Sequence, residues 1–356
     1  MSNLTVEAVH EALKGVAHPD VPFSIEELKM VKNVVVDGNL VRLTVEHLTH
    51  DRFHRDALEA AIKAAVRATV EVDHQFRQRS TQPALGGGPL SQVKNILAVA
   101  SGKGGVGKST VATNVAAALA RQGAKVGLLD ADVYGPSVPA LLGIDRSSLR
   151  VEDKRILPVE KFGLEVMSMG LLMKPGDSVI WRGPMLHGMM NQFCRDVAWS
   201  ELDYLVIDLP PGTGDVSLSL SQLIPIGGAV IVSTPQDVAL GVATKAVNMF
   251  EKLNVPVIGL IENMSFYCCP NCNHRDELFG HGGAQKAANE RGLPFLGEVP
   301  LNGLIRQAGD AGEPVVLAHP DSAPAKALAE VARRAAALLA VASELGHEAI
   351  LSPARA

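Results

Sequence analysis

The chain has 356 residues, 47% hydrophobic and 20% charged. That is enough apolar material for roughly two domains, with too few charges for wholesale disorder. A net charge of −5 excludes a protein that wraps nucleic acid by neutralising phosphates.

Met1-Ser2-Asn3-Leu4-Thr5-Val6-Glu7 has neither a basic n-region nor an apolar h-region, and no run of about eighteen apolar residues occurs. The expectation is a cytoplasmic protein with no membrane and no nucleic-acid partner. Residues 1–76 read as a small α+β domain. Val9, Leu13 and Val16 suit one helix face, and residues 28–36 and 40–48 read as strands joined through Asp37-Gly38-Asn39, a hairpin signal. Residues 57–70 return to helical spacing. Residues 77–94 gather glycines, prolines and polar residues and read as a linker.

From Asn95 the pattern changes. Ile96–Ala100, Val126–Leu129, Tyr204–Ile207, Ala229–Ser233 and Val257–Ile261 are apolar on both faces and alternate with helical segments. This predicts an α/β domain over residues 95–345, with a mostly parallel sheet covered by helices on both faces, followed by a tail at 346–356. The alanine-rich segment from about Ala323 to Leu339 reads as a helix packed on that sheet.

The strand ending at Ala100 runs into Ser101-Gly102-Lys103-Gly104-Gly105-Val106-Gly107-Lys108-Ser109-Thr110, followed by Val111, Val115, Ala118 and Leu119 at helical spacing. This is a G-x-x-x-x-G-K-[ST] phosphate loop in its strand–loop–helix setting. Its glycines let successive backbone N–H groups converge on phosphate oxygens at a helix N-terminus. Lys108 is expected to reach the β- and γ-phosphates and Ser109 to ligate Mg²⁺. Asp130 and Asp132 follow the second strand and Asp208 ends the third, at the C-terminal strand ends where such sheets bind ligands. Asp208 is the natural metal-holding carboxylate, directly or through water. Pro210-Pro-Gly-Thr-Gly214 reads as a loop able to sense the γ-phosphate.

Lys103 is a second lysine in the loop, otherwise readable as a solvated surface residue. With it the string resembles the deviant phosphate loops of ATPases that pair as sandwich dimers, such as nitrogenase iron protein and the chromosome-partitioning and septum-positioning ATPases. The resemblance implies that Lys103 reaches the partner's nucleotide, that Asp132 orients the attacking water and that Asp130 supports the metal shell. It also implies that Asn263, after the strand Val257–Ile261, reads adenine and so favours ATP.

Cys269-Pro-Asn-Cys272 is a C-x-x-C turn beside Cys268 and His274. Two thiolates are half a metal site. A monomer would complete it with Cys268 or His274, whereas a symmetric dimer would supply four thiolates. Spacing alone leaves a [4Fe–4S] cluster, Zn²⁺ and a redox dithiol open. Cys194 stands apart and reads as a small buried side chain.

Gly102–Thr110, Asp130–Pro139, Trp181-Arg-Gly-Pro-Met185, Asp208–Asp215, Glu262-Asn-Met-Ser265 and Cys269–Cys272 occur in this order. Together they resemble the Mrp-type iron–sulfur cluster carrier ATPases, and residues 1–76 resemble the MIP18-like domain often fused to them. The resemblance implies a homodimer that holds a bridging [4Fe–4S] cluster through Cys269 and Cys272 of each chain and delivers it to apo iron–sulfur proteins under ATP control. One departure is that Thr49-His-Asp-Arg-Phe-His54 lacks the cysteine often found there, so the first domain reads as a docking or regulatory module. His50 and His54 read as solvated histidines. Two other readings compete: an ATPase cycling on a membrane or chromosome surface, and a dimeric ATPase stapled by zinc.

Overall fold

The computed structural model describes residues 4–351 apart from 51–54, 77–79, 82–89, 173–187, 189–192, 213, 215–217, 219–220, 222, 239, 270–271 and 273. Contacts divide the chain into two compact units, residues 1–80 with 336–356, and residues 81–335. Trp181–Met185, His54, Thr213 and Asp215, singled out above, lie outside the described residues.

In the first unit, helix α1 (Val6–Leu13) starts at Thr5, whose Oγ1 accepts from Ala8 N at 3.2 Å. Strands β1 (Val31–Asp37) and β2 (Leu40–His47) pair antiparallel through a turn with Gly38 at φ +60°. Helix α2 (Arg55–Val66) then crosses to β3 (Thr69–Phe76), which lies parallel to β2. The helical expectation through Val70 is therefore corrected. Arg67 at φ +52° ends the helix, and the next residues alternate with period two, Val70 pointing inward. The first strand begins at Val31 rather than Leu28, because Leu28 N and Met30 N bond back to the carbonyls of Ser24 and Ile25. Val9, Leu13, Ile25, Leu28, Val41 and Ile62 are fully buried at the centre of this unit.

A short polar chain crosses its edge. His47 Nε2 lies 2.9 Å from His74 Nδ1, and His74 Nε2 lies 3.1 Å from Glu59 Oε2. The carboxylate takes the Nε2 proton of His74, so His74 Nδ1 accepts from His47. Burial, helped by His74 and Arg55, pushes His47 down to about 4. The unfolded chain then binds the extra proton first. Stability from this site is complete above pH ~6.5 and is lost as pH falls towards ~4, by about 2 kcal/mol after solvent screening. Hydrogen exchange of the β1–β3 amides in the full chain, divided by the intrinsic rate at each pH, should accelerate as pH falls from 7 to 5, and less so in His47→Gln. Equal acceleration in both proteins would refute this assignment.

Among the described residues, the second unit is built on a sheet of nine strands. In chain order come β4 (Val93–Ser101), α3 (Lys108–Arg121), β5 (Val126–Asp130) and α4 (Val138–Leu141). A hairpin of β6 (Arg150–Glu152) and β7 (Arg155–Leu157) stands off the sheet, before β8 (Val159–Lys161), β9 (Leu164–Ser168) and α5 (Met169–Leu172). Then follow β10 (Leu202–Asp208), β11 (Gly228–Ser233), α6 (Leu240–Lys252) and β12 (Val257–Cys268). The unit continues through β13 (Arg275–Asp276), α7 (Gly283–Glu290), β14 (Phe295–Leu301), α8 (Gly303–Asp310), α9 (Val315–Ala318) and α10 (Ala323–Leu345). The boundary between the two units falls within α10, after Ala335, and the helix's last turns belong to the first unit. There Glu344 pairs with Lys29 at 3.5 Å and Ser343 Oγ donates to Ser80 O at 2.8 Å.

The strand order is β13-β12-β11-β4-β10-β5-β9-β8, with β14 also on β12. Among the described residues, only the β8–β9 and β12–β13 pairs in this sheet are antiparallel. The chain passes from β4 to β5, leaves a place that β10 fills, and later adds β11 on the far side of β4. Ligand crevices open at the C-terminal ends of strands around such a reversal. Helix α3 packs on β4, β5 and β10 with Val111, Ala112, Val115 and Ala116 buried. No helix among the described residues is long and apolar enough to cross a membrane.

Candidate functional site

The loop between β4 and α3 follows its sequence. Gly105 and Gly107 both adopt φ +81°, the left-handed region that side-chain-bearing residues avoid. Val106 between them is buried and tethers the loop, its carbonyl accepting from Asn263 Nδ2 at 2.8 Å. Gly102 is half-buried, and Gly104 and Lys103 are exposed, Lys103 O accepting from Ser101 Oγ at 2.9 Å. Gly212 N donates to Ser101 O at 2.8 Å, fixing the start of the loop after β10 beside the phosphate loop.

Lys108 is buried at the start of α3, its Nζ paired with Asp208 Oδ1, 3.3 Å from Ser109 Oγ and 3.8 Å from Asp132 Oδ2. The groups expected to handle phosphate and metal thus compensate one another. Burial pushes the Asp208 carboxyl up, against the pull of Lys108. Register explains its neighbour, for Asp208 on β10 sits directly beside Asp130 on β5. Burial, reinforced by the Asp208 charge, pushes Asp130 up to about 7.

The two aspartates after β5 divide the work. Asp130 accepts from Asp132 N at 3.1 Å, Val138 N at 3.1 Å and Ser168 Oγ at 2.9 Å, so it braces the loop, α4 and β9. Asp132 Oδ1 accepts from Tyr134 N and Gly135 N, each at 3.2 Å, and its Oδ2 faces Lys108. Asp208 Oδ2 is buried and, among the described residues, accepts no hydrogen bond. An anionic oxygen of this kind with the Ser109 hydroxyl nearby is the donor set a hard cation such as Mg²⁺ takes, so the residues present fit it.

A cavity of about 560 Å³ opens beside the loop, bounded by Gly107 and Thr110 on one side and by Asn263, Met264, Leu301 and Ile305 on the other. This volume suits a nucleoside. Leu301 and Ile305 escaped the sequence reading because they lie nearly two hundred residues from the loop. They are brought in because β14 pairs with β12, whose Asn263 aligns with Val299. The wall is close-fitting, since a Cβ at Gly107 would lie 2.3 Å from Asn263 Nδ2. Gly107→Ala combines that overlap with left-handed strain, about 1–3 kcal/mol, so nucleotide affinity should fall roughly tenfold or more. Titration with a fluorescent ADP analogue checks this, and wild-type affinity would contradict it.

Strand β12 runs on past Asn263 into the cysteines. Tyr267 and Cys268 pair antiparallel with Asp276 and Arg275, and Cys269 N donates to His274 O at 2.9 Å, closing the turn. Cys268 and Cys269 are half-buried, while Cys272 and His274 are exposed. Cys194 is buried elsewhere, and burial pushes its thiol up to about 11. The sequence reading assigned Glu262 no role, although an acid directly after the apolar run Val257–Ile261 and before Asn263 was a visible signal. It is fully buried and accepts from Ser265 Oγ at 2.7 Å, Gly282 N at 2.9 Å and Ala284 N at 2.8 Å.

A central parallel strand that ends in this loop and helix, in a sheet of this order, makes the second unit a P-loop nucleoside triphosphatase. The model of the NUBPL iron-transfer P-loop NTPases matches residues 92–336, and the chain belongs to that family. A second model, of iron–sulfur cluster assembly proteins, matches residues 6–74. The chain is 44% identical over 342 residues to an iron–sulfur cluster carrier protein of Deinococcus radiodurans, covering 94% of this chain and 96% of that one. It is 41% identical to the carrier protein of Escherichia coli, over 92% and 90% of the two chains. Among solved structures, a nucleotide-binding protein of Archaeoglobus fulgidus in complex with ADP is 42% identical with a TM-score of 0.59, covering 65% of this chain and 92% of that one. The cell division ATPase MinD of Pyrococcus furiosus, 24% identical with a TM-score of 0.50 over 67% and 97% of the chains, shares the fold.

Proposed function

We propose that the chain is an ATP-hydrolysing carrier that holds a [4Fe–4S] cluster between two copies of itself and passes it to apo iron–sulfur proteins. The observation that carries this reading is the single strand β12, with Asn263 in the wall of the nucleotide cavity and Cys269 just beyond its far end. Family membership and relatives named as cluster carriers support it.

In this reading the phosphate-loop amides and Lys108 bind the β- and γ-phosphates, Lys108 exchanging its carboxylate partners for phosphate oxygens. Ser109 and Asp208 hold Mg²⁺, which when bound neutralises charge on those oxygens. Asp130 keeps the metal-side loop in place, Asp132 orients the attacking water, and Lys103 reaches the partner's nucleotide. Asn263 and the cavity take the adenine. Cys269 and Cys272 of each chain supply four soft thiolates to the cargo.

The experiment is anaerobic reconstitution of the full chain with iron and sulfide, followed by transfer to an apo-protein with and without ATP. About four irons and four sulfides per two chains, with transfer, support the reading. Retained zinc without iron would replace it with a metal-stapled ATPase. ATP-dependent sedimentation with vesicles or DNA, without cluster binding, would replace it with a positioning ATPase.

A further inference from the structure

Strand β12 continues through residues 263–268 to the cysteines, and the chain returns by β13 to α7. The two ends of this excursion meet on one side chain. Glu262 sits at its root with no exposed surface. Its Oε1 takes the hydroxyl of Ser265 on the outgoing strand and the N–H of Gly282 on the returning chain, and its Oε2 takes the N–H of Ala284 in α7. Hydrogen bonds to a buried carboxylate are charge-assisted, and here the helix N-terminus favours the anion as well. Higher up, the Arg275 guanidinium stacks 3.8 Å from the centre of the Phe266 ring and reaches Glu298 Oε2 at 3.4 Å. The cysteine turn therefore stands on a closed, braced base.

That base adjoins the nucleotide wall in the sequence itself. Asn263 bonds Val106 O in the phosphate loop, and Met264 adopts φ +56°, a strained value for a residue inside a strand. The pairing of β12 with β14 shifts register between Asn263 and Tyr267. Unaided, an irregularity of this kind would absorb a displacement of Asn263 and Met264 before it reached the cysteines. The Glu262–Ser265 bond spans part of it.

We infer that Glu262 is a positioning residue for the cysteine pair, and that through it a nucleotide pressing on Asn263 and Met264 changes the exposure of Cys269 and Cys272. The inference rests on the proposed nucleotide cavity and cysteine site, and it supplies a route by which ATP acts on the cargo. Glu262 lies outside the described lining of the nucleotide cavity.

The test reads thiols in the iron-free full chain. Alkylation rates of Cys269 and Cys272 are measured by peptide mass spectrometry with and without Mg–ADP, in wild type, Glu262→Gln and Ser265→Ala. In wild type ADP should change the rates by about fivefold or more, within the usual range for coupled sites. In Glu262→Gln only the amide oxygen accepts, so one of the two backbone N–H groups faces a donating NH₂, and the ratio should fall to about one while ADP affinity stays near wild type. Ser265→Ala removes one of the three bonds and should give an intermediate ratio, which decides the matter if the glutamine variant does not fold. A wild-type ratio of one, or an unchanged ratio in the variants that fold, would overturn the inference. Cluster reconstitution fails or succeeds separately, so the loss of the carrier reading would remain distinguishable from the loss of this coupling.

Discussion

Lys108→Ala is expected to abolish measurable nucleotide binding and, at the same time, to destabilise the nucleotide-free protein. The first effect follows from losing charge-assisted bonds to phosphate, on the order of a 100-fold loss of affinity. The second follows from this structure, in which Lys108 is buried against a fully buried Asp208. Removing one partner of such a pair costs about 3–5 kcal/mol because the other charge is left uncompensated. Asp208 can escape by taking a proton, since burial already pushes its carboxyl up. In the variant the folded state binds that proton more tightly than the unfolded state does. The deficit against wild type should therefore grow as pH rises through the Asp208 titration and shrink as pH falls. Adding Asp208→Asn should restore stability without restoring nucleotide binding. Calorimetric titration with ADP and thermal melts from pH 5 to 8 measure both effects. A single variant as stable as wild type at pH 8 would show that the Lys108–Asp208 pair carries no such weight.

The phosphate loop was legible because its information is local: Gly105, Gly107 and Lys108 need only their own strand and helix to be placed. The five apolar strands were legible because burial on both faces leaves an uninterrupted apolar run. Thr69–Phe76 was missed because helical spacing up to Val66 overlapped a short alternation beginning at Val70, and nothing in the residues marks Arg67 as adopting φ +52°. Leu301 and Ile305 depend on the pairing of β14 with β12, a long-range register no local pattern encodes. Asp130 was legible as important, but its three hydrogen bonds, including those to Ser168 and Val138, appear only when β9 and α4 fold beside it.

Cys269→Ser and Cys272→Ser should each reduce reconstituted iron from about four per two chains to below about one. In a symmetric dimer one substitution removes two of four thiolates, and serine offers a harder oxygen in place of a soft sulfur. Nucleotide affinity and melting temperature should be little changed, because backbone bonds hold the turn, from Cys269 N to His274 O and across the pairing of Cys268 with Arg275. Cys194→Ser should retain the cluster, since that thiol is buried and burial pushes it up to about 11, far from a thiolate at neutral pH. Cys268→Ser separates the shared site from a single-chain site completed by Cys268. Full iron content in this variant is expected of a site shared by two chains through Cys269 and Cys272. Iron lost equally from the Cys268, Cys269 and Cys272 variants, in a protein that stays monomeric, would instead assign three ligands to one chain. In that case Cys268, on the strand before the turn, would have to rotate toward Cys269, and its pairing with Arg275 would be the first contact to break.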